Sequence, residues 1–384
     1  MKILFLSSPS FADCDFPYVK ELMSQGHEVD YLMMLAPFSA KSSTLFSVNK
    51  VLPVDGIIRA TDYPEIAEYS SYMDLSHVYL INHSINRQVS WKYFKTALKV
   101  LRFIRKGKYD VVHTDCILGW FSHLYYWGNK NTVLTVHDPI QHSGVSTPLI
   151  RLFRHMAFNK VKKFVLLNSV QKDEFIKNNH LKEEQVLVNR LGVYDCINNY
   201  VKPTFVKKKN NILFFGHISS YKGIEYLCEA FLKVQNVIPD ATLTIAGGGK
   251  LYFDFTPYEN NPKIKLENHY IGMPELAELI YNCEVVVCPY KDATQSGVVM
   301  TAFSAKKPVI ASNVGGMCES IINGKNGILI PPCDVKLLAE AITKLLADEV
   351  LNKQMQSAIY TDFFKGENSW KNITKKYLEF YKTR

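Results

Sequence analysis

No stretch of this 384-residue chain comes near the roughly 18 consecutive apolar residues that a membrane-spanning helix needs, so no span is expected. CxxC pairs are missing as well. The eight cysteines (Cys14, Cys116, Cys196, Cys228, Cys283, Cys288, Cys318 and Cys333) are scattered, and no histidine cluster accompanies them. That spacing excludes the common zinc frameworks and redox dithiols, and buried free thiols in a reducing compartment are expected. The opening MKILFLSSPS has only four consecutive apolar residues before its serines. It reads as a first strand and not as a secretory leader, so a cytoplasmic protein is expected. A large charge excess is also missing: 45 basic side chains face 36 acidic ones, for +9. Residues 1–200 hold 23 basic and 18 acidic groups, and residues 201–384 hold 22 and 18. Neither half is a basic arm, so no nucleic-acid partner is expected; an anionic substrate or an anionic membrane face suits the mild excess.

What is present is an alternation of strand-like and helix-like segments. Lys2–Ser7 reads as a buried strand, Phe16–Gln25 as a helix ended by Gly26, and His27–Met33 as a strand. Residues 35–90 carry no clear period. Strands follow at Tyr109–Thr114, Thr132–Val136, Lys163–Leu167 and Gln185–Val188, with helices at Ile117–Trp127 and Ser169–Asn178. Asn198–Asn210, with Pro203 and four lysines, breaks the pattern and reads as a linker at 198–210. The alternation restarts with strand ILFFG, helix Gly223–Gln235, strand Thr242–Ala246, helix Pro274–Tyr281 and strand Glu284–Cys288, and the last helix is Ser369–Tyr381. Strands alternating with helices predict parallel sheets covered on both faces. The fold class is therefore α/β with two units, 1–197 and 211–366.

The segment CPYKDATQSGVVMTAFSAKKPVIASNVGGMCESIINGKNG (Cys288–Gly327) is the most informative. A strand meets Pro289, and a polar loop through Gln295-Ser296-Gly297-Val298 opens a helix. A second strand, VIAS, then runs into Gly315-Gly316 and another helix start. Two helix N-termini at strand ends offer free N–H groups and positive dipole ends to an anion, as a diphosphate site requires. Gly297 permits close approach of a ligand; the plainer alternative is a helix capped by Ser296. Upstream, Gly216-His217-Ile218-Ser219-Ser220-Tyr221-Lys222-Gly223 follows strand ILFF. A lysine at a helix start opposes the dipole, so Lys222 suggests an anion nearby, with a solvated lysine as the alternative. Gly247-Gly248-Gly249 lacks the full dinucleotide spacing. In the first unit, His137 of VLTVHDPIQHSG ends a strand, where open α/β sheets bind ligands. Asp138 and His142 lie beside it, His113 in DVVHTD reads as structural, and Asp13 or Asp15 of the first loop is a candidate to face an acceptor.

These motifs resemble the retaining glycosyltransferases of family 4, with the GT-B fold of two Rossmann-like domains facing across a cleft. Pro289, Ala302, Pro308, Val309, Ile310, Ala311, Ser312, Gly315, Gly316, Glu319, Gly324 and Gly327 fall in register with that family's pattern. Its E-x7-E glutamates fall on Ala293 and Thr301, so the chain is similar to the subgroup that carries A-T-Q-S-G-V instead. The resemblance implies His137 and Lys222 as catalytic residues. It implies donor contacts from His217 (in place of an arginine), Gln295, Ser296, Gly297, Val298, Glu319 and Ile271, the last in the loop that meets the nucleotide base. Asp13 and Asp138 are the acceptor-side candidates. The implied donor is a nucleotide-diphosphate sugar, the acceptor a glycan or lipid-linked glycan of surface polysaccharide synthesis, with no cofactor and no metal. It also implies a final helix, 367–384, that crosses back to the first domain. An epimerase on the same fold and a non-catalytic subunit supporting a partner enzyme are the alternatives; the missing glutamates favour the second.

Residues 91–108 (WKYFKTALKVLRFIRKGK) form a basic amphipathic helix. Lys92, Lys95, Lys99, Arg102 and Lys106 fall on one stripe, and Trp91, Phe94, Leu98 and Leu101 on another. Two readings stand: an anionic membrane surface as partner, placing the protein at the inner face of the membrane, or a surface helix whose apolar stripe enters the core.

Overall fold

The computed structural model describes residues 1–35, 52, 54–85, 87–139, 147–293 and 296–383. The chain divides into two compact units: Met1–Leu191 together with Trp370–Arg384, and Gly192–Ser369.

The first unit is built on an eight-stranded sheet: β1 (Lys2–Ser7), β2 (Glu28–Leu35), β3 (Gly56–Arg59), β4 (Val78–Asn82), β5 (Val111–Thr114), β6 (Thr132–Val136), β7 (Lys163–Leu166) and β8 (Val186–Val188). The order is β3-β4-β2-β1-β5-β6-β7-β8. Only β3 runs antiparallel, against β4. Strands buried on both faces read as continuous apolar runs, which is why KILFLS is buried from Ile3 to Ser7. Each fully buried Leu, Val or Ile contributes roughly 1.5–3 kcal/mol. The helices are α1 (Ala12–Ser24), α2 (Pro64–Ala67), α3 (Trp91–Gly107), α4 (Pro148–Lys160) and α5 (Lys172–Asn178).

Three expectations change here. Residues 35–90, where described, hold β3 and β4 and are not irregular. Ile117–Trp127 is a 3-10 segment over Trp120–Trp127, not an α-helix. In α3 the buried face is Tyr93, Thr96, Ala97, Val100 and Ile104. The stripe of Trp91, Phe94, Leu98 and Leu101 is not the core face: Trp91 is 67% exposed and the other three are half-buried.

The second unit carries a six-stranded, all-parallel sheet: β9 (Asn211–Phe215), β10 (Thr242–Ala246), β11 (Ile264–Glu267), β12 (Val285–Cys288), β13 (Val309–Ser312) and β14 (Gly327–Ile330), in the order β11-β10-β9-β12-β13-β14. Its helices are α6 (Ile224–Val237), α7 (Thr256–Glu259), α8 (Met273–Asn282), α9 (Gly297–Ser304), α10 (Met317–Ser320), α11 (Val335–Ala347) and α12 (Glu349–Tyr360). The unit begins at Gly192, so residues 192–197 group with it and not with the first unit. Tyr194 N–H donates to the Met300 carbonyl, and Cys196 and Ile197 are fully buried. The following stretch, read as a linker, is held at its end by Lys208 N–H on the Asn282 carbonyl and Lys207 on Glu284.

The last helix, α13 (Trp370–Lys382), belongs to the first unit. It buries Ile373, Tyr377, Phe380 and Tyr381, and Tyr381 Oη bonds both Tyr18 Oη (2.7 Å) and His113 Nδ1. Lys163 Nζ donates to the carbonyls of Phe380 and Tyr381, where a cation meets the negative helix end. All eight cysteines are free thiols; Cys318 and Cys333 are exposed, against the expectation that all are buried. Among the described residues no helix is long and apolar enough to cross a membrane.

Candidate functional site

In open parallel sheets, ligands bind outside the carboxyl ends of the strands where the strand order reverses. In the second unit that point lies between β9 and β12. The loop after β9 and the loop after β12 meet there. A Cβ on Gly223 would stand 2.1 Å from the Pro289 carbonyl oxygen, and Gly223 has φ +65°, so only glycine lets the two loops lie together. Lys291 N–H donates to the Tyr221 carbonyl at 2.8 Å. The loop after β10 closes on the first in the same way: Gly247 has φ +154°, and its Cβ would fall 1.9 Å from the Gly216 carbonyl oxygen.

The two lysines of this edge differ in a decisive way. Lys291 ends on Glu225 at 2.5 Å, with Tyr252 bonded to the same carboxylate. Lys222 has no carboxylate within ion-pair distance among the described residues. Its ammonium lies 3.8 Å over the Tyr290 ring and 4.9 Å from the Tyr221 ring. Burial lowers its pKa to about 8, with the Cys288 thiol acting weakly the other way. A partly buried cation left on aromatic faces is an incomplete electrostatic arrangement that an anion would complete. The Ser219 hydroxyl, in the same loop, is buried without a partner among the described residues.

Ser296 stands at the N-cap of α9 but makes no capping bond, so the simple-cap alternative fails. Gly297 and Val298 are half-buried. Val298 Cγ2 lies 3.5 Å from where a Cβ on Gly216 would be, which brings the start of α9 beside the loop after β9. His217 is exposed. Glu319 sits in the one-turn helix α10 after β13. Tyr270 and Ile271 follow β11, beside Gly248, whose Cβ would lie 3.4 Å from the His269 carbonyl. Ala293 and Thr301 are both nearly buried, and Thr301 spends its hydroxyl on the Gly297 carbonyl at 2.8 Å. Gln295 and His142 lie outside the described residues.

The first unit gathers its candidates at the equivalent point, where β1, β5 and β6 end side by side. His137 follows β6 with its ring stacked on Phe11 at 3.9 Å and 7°. Its Nε2 is 3.8 Å from Asp115 Oδ2. Asp115, one residue past β5, is 5% exposed, and among the described residues neither of its oxygens has a donor at hydrogen-bond geometry; its ionisable neighbours include His137 and Asp15. Asp15 lines the same small cavity. It accepts from Ser7 Oγ at 2.5 Å and Tyr31 Oη at 3.0 Å. Burial, then the neighbouring Asp115 charge, holds its carboxyl well above the usual range. Sequence reading missed Asp115; its place at the strand-order reversal was the available signal. Of the acceptor-side candidates, Asp13 accepts from the Cys14 N–H beside it, and Asp138 is exposed near Arg154. His113 is structural: Nε2 bonds Thr135 Oγ1 at 2.7 Å, Nδ1 bonds Tyr381, and burial lowers its pKa to about 3.

Residues 18–194 match the model for Glycosyltransferase Family 4, and residues 209–348 match that for Glycosyl transferases group 1. The capsular polysaccharide biosynthesis glycosyltransferase CapM of Staphylococcus aureus is 24% identical over 84% of this chain and 86% of its own length. The UDP-Gal:alpha-D-GlcNAc-diphosphoundecaprenol alpha-1,3-galactosyltransferase of Escherichia coli is 24% identical over 75% of this chain and 80% of its own. Against other curated relatives the chain spans only about a third to about half of their length. Among solved structures, Anabaena Alr3699/HepE in complex with UDP-glucose superimposes with a TM-score of 0.66 at 17% identity, covering 99% of each chain. Two family models that between them take in both units, with relatives and folds of one kind, place this chain among the family 4 and group 1 glycosyltransferases of GT-B fold.

Proposed function

We propose that this glycosyltransferase is a retaining enzyme of the A-T-Q-S-G-V subgroup. It moves a sugar from a nucleotide-diphosphate sugar to a hydroxyl of a glycan or lipid-linked glycan in surface polysaccharide synthesis. The observation that carries the reading is Lys222: an ammonium without a carboxylate partner, at the strand-order reversal of the second sheet, against Tyr290. Its charge, the Ser296-Gly297-Val298 turn at the start of α9 and the exposed His217 receive the diphosphate. In this reading Ile271 meets the base and Glu319 the sugar.

The reaction is a front-face displacement. The bond from the anomeric carbon to the diphosphate oxygen breaks, and the acceptor oxygen bonds the same face. The acceptor proton passes to the departing diphosphate oxygen. No protein nucleophile is needed, and the chain's contribution is electrostatic placement. His137 positions the sugar. Lys222 and backbone amides carry the neutralisation, so the reading requires no metal or cofactor. The bilayer-facing use of residues 91–108 suits a lipid-linked acceptor.

Thermal-shift titration with UDP-, GDP-, TDP- and ADP-sugars, without metal, tests this on wild type and Lys222→Ala. Stabilisation by one nucleotide class, lost in the variant, is expected. A second reading, a non-catalytic subunit, is favoured by Ala293 and Thr301, which offer no carboxylate to a donor. It predicts unchanged pathway output from Lys222→Ala.

A further inference from the structure

The apolar stripe that α3 leaves outside the core continues onto two neighbouring elements. Trp91 stacks on Phe94 at 5.3 Å, and Phe94 meets Phe121 edge-on at 5.1 Å. Next to Phe121, Trp120 meets Phe153 of α4 at 5.4 Å. Helix α4 buries only Ala157. Its Leu149, Ile150, Leu152 and Met156 are exposed, Leu152 at 51%. Trp127, at the end of the 3-10 segment, is 58% exposed under Lys160 of α4. Three of the chain's four tryptophans therefore stand exposed on one connected surface of the first unit.

Charge on the same elements is one-sided. Trp91–Gly107, Trp120–Trp127 and Pro148–Lys160 together hold nine lysines and arginines and no aspartate or glutamate. The whole chain carries 45 basic and 36 acidic groups, so everything outside these three elements balances at 36 and 36. The protein's entire net charge sits where its exposed tryptophans and aliphatics are. Lys92, Lys95, Lys99, Arg102, Arg105 and Lys106 are all exposed. A nucleic acid would match the charge and stack on the rings, but it has no use for exposed Leu149, Ile150, Leu152 and Met156. Interfacial tryptophans, inserted aliphatic side chains and flanking cations together match an acyl–headgroup boundary.

We infer that the α3, Trp120–Trp127 and α4 face docks the first unit on a bilayer containing anionic phospholipid. This extends the single-helix expectation to a three-element surface. It rests on the proposed lipid-linked acceptor only for its purpose, since the surface itself is independent of the donor site.

Flotation of the full chain with phosphatidylcholine vesicles, with and without phosphatidylglycerol, tests it, with bromine-labelled lipid as a quencher of tryptophan fluorescence. Binding to the anionic vesicles, weakening with salt and accompanied by quenching, is expected. Replacing Lys92, Lys95 and Lys99 by Gln should weaken binding roughly a hundredfold. Replacing Trp91 and Leu152 by Ser should remove the lipid quenching of Trp91 and weaken binding in low salt as well. Both variants change exposed side chains, and an unchanged melting temperature and nucleotide-sugar shift certify their folds. A folded, donor-binding protein that ignores anionic vesicles overturns the docking face. So does salt-sensitive binding to DNA without lipid quenching. Vesicle binding with no response to any nucleotide sugar leaves the face standing and counts instead against the transferase reading.

Discussion

The Lys222 ammonium lies 3.8 Å from the centre of the Tyr290 ring, with no carboxylate at ion-pair distance among the described residues, while Lys291 one residue beyond Tyr290 is neutralised by Glu225 at 2.5 Å. Selective neutralisation leaves Lys222, of these two lysines, as the uncompensated cation at the edge where the loops after β9 and β12 meet. Lys222→Ala should lower turnover by on the order of a hundredfold to a thousandfold, the scale of removing one electrostatic stabiliser of a leaving group. Lys222→Arg should recover only part, because a planar guanidinium fits the ring and the diphosphate differently. Steady-state kinetics with the responsive donor checks both.

The depressed pKa of Lys222, about 8 against an ordinary 10.5, has two opposite signatures. Between these values the unfolded chain binds more protons than the folded one, so the destabilisation from burying this cation fades as pH rises from about 8 to 10.5. Donor affinity should move the other way, holding below pH 8 and falling above it as the ammonium deprotonates. Tyrosines titrate in the same range, so the readout is the difference between wild type and Lys222→Met in melting temperature and donor affinity. Parallel curves for the two proteins would sink the assignment.

Among the described residues Asp115 has no hydrogen-bond donor at bonding geometry on either oxygen, and the ionisable base at its side is His137. A buried carboxylate with both oxygens unpartnered is costly, and it persists 3.8 Å from His137 Nε2. Asp115→Asn should raise the melting temperature while lowering kcat at least tenfold, with the nucleotide-sugar thermal shift unchanged. A loss of stability, or unchanged kcat, would show that the carboxylate serves packing alone.

His113 is the opposite case, fully engaged between Thr135 and Tyr381. His113→Gln should cost about 1–3 kcal/mol, from lost hydrogen bonds in a buried site. The pH dependence follows from its pKa of about 3 against 6.5: the folded state binds fewer protons between these values. The stability it contributes is therefore present above pH 6.5 and lost as pH falls toward 3. Urea titrations at successive pH values should show a steeper acid decline for wild type than for His113→Gln.

Ser296 and Asp334 both occupy N-caps, yet only Asp334 caps, accepting from Leu337 N–H at 2.9 Å. Asp334→Ala should cost about 1 kcal/mol. Ser296→Ala should change stability by less than about 0.5 kcal/mol while weakening the donor-induced thermal shift.

The sheets were legible because buried parallel strands write themselves as unbroken apolar runs: ILFFG, LTIA and VVVC need no context. The loop holding Lys222 was legible because its glycines answer to backbone demands, with Gly223 at φ +65° against Pro289. Other features depend on what the chain meets in space. Both Trp91-Phe94-Leu98-Leu101 and Tyr93-Ala97-Val100-Ile104 repeat at helical spacing, and nothing along one dimension says which of them turns inward. Asp115 is an ordinary polar residue after a strand until β6 brings His137 beside it. The four residues of β3 are too few to show a period, and they become a strand through antiparallel pairing with β4.

Helix α13 completes the first unit only after the whole second unit has been read out, because Gly192–Ser369 lies between the two parts of the first. In sequence, the second unit is an insertion. During synthesis it can finish folding while the first still waits for Tyr381 to reach His113 and Tyr18. A ribosome stalled before residue 370 would hold a first unit without α13, with the groups that Tyr381 covers, Tyr18 and His113, left open.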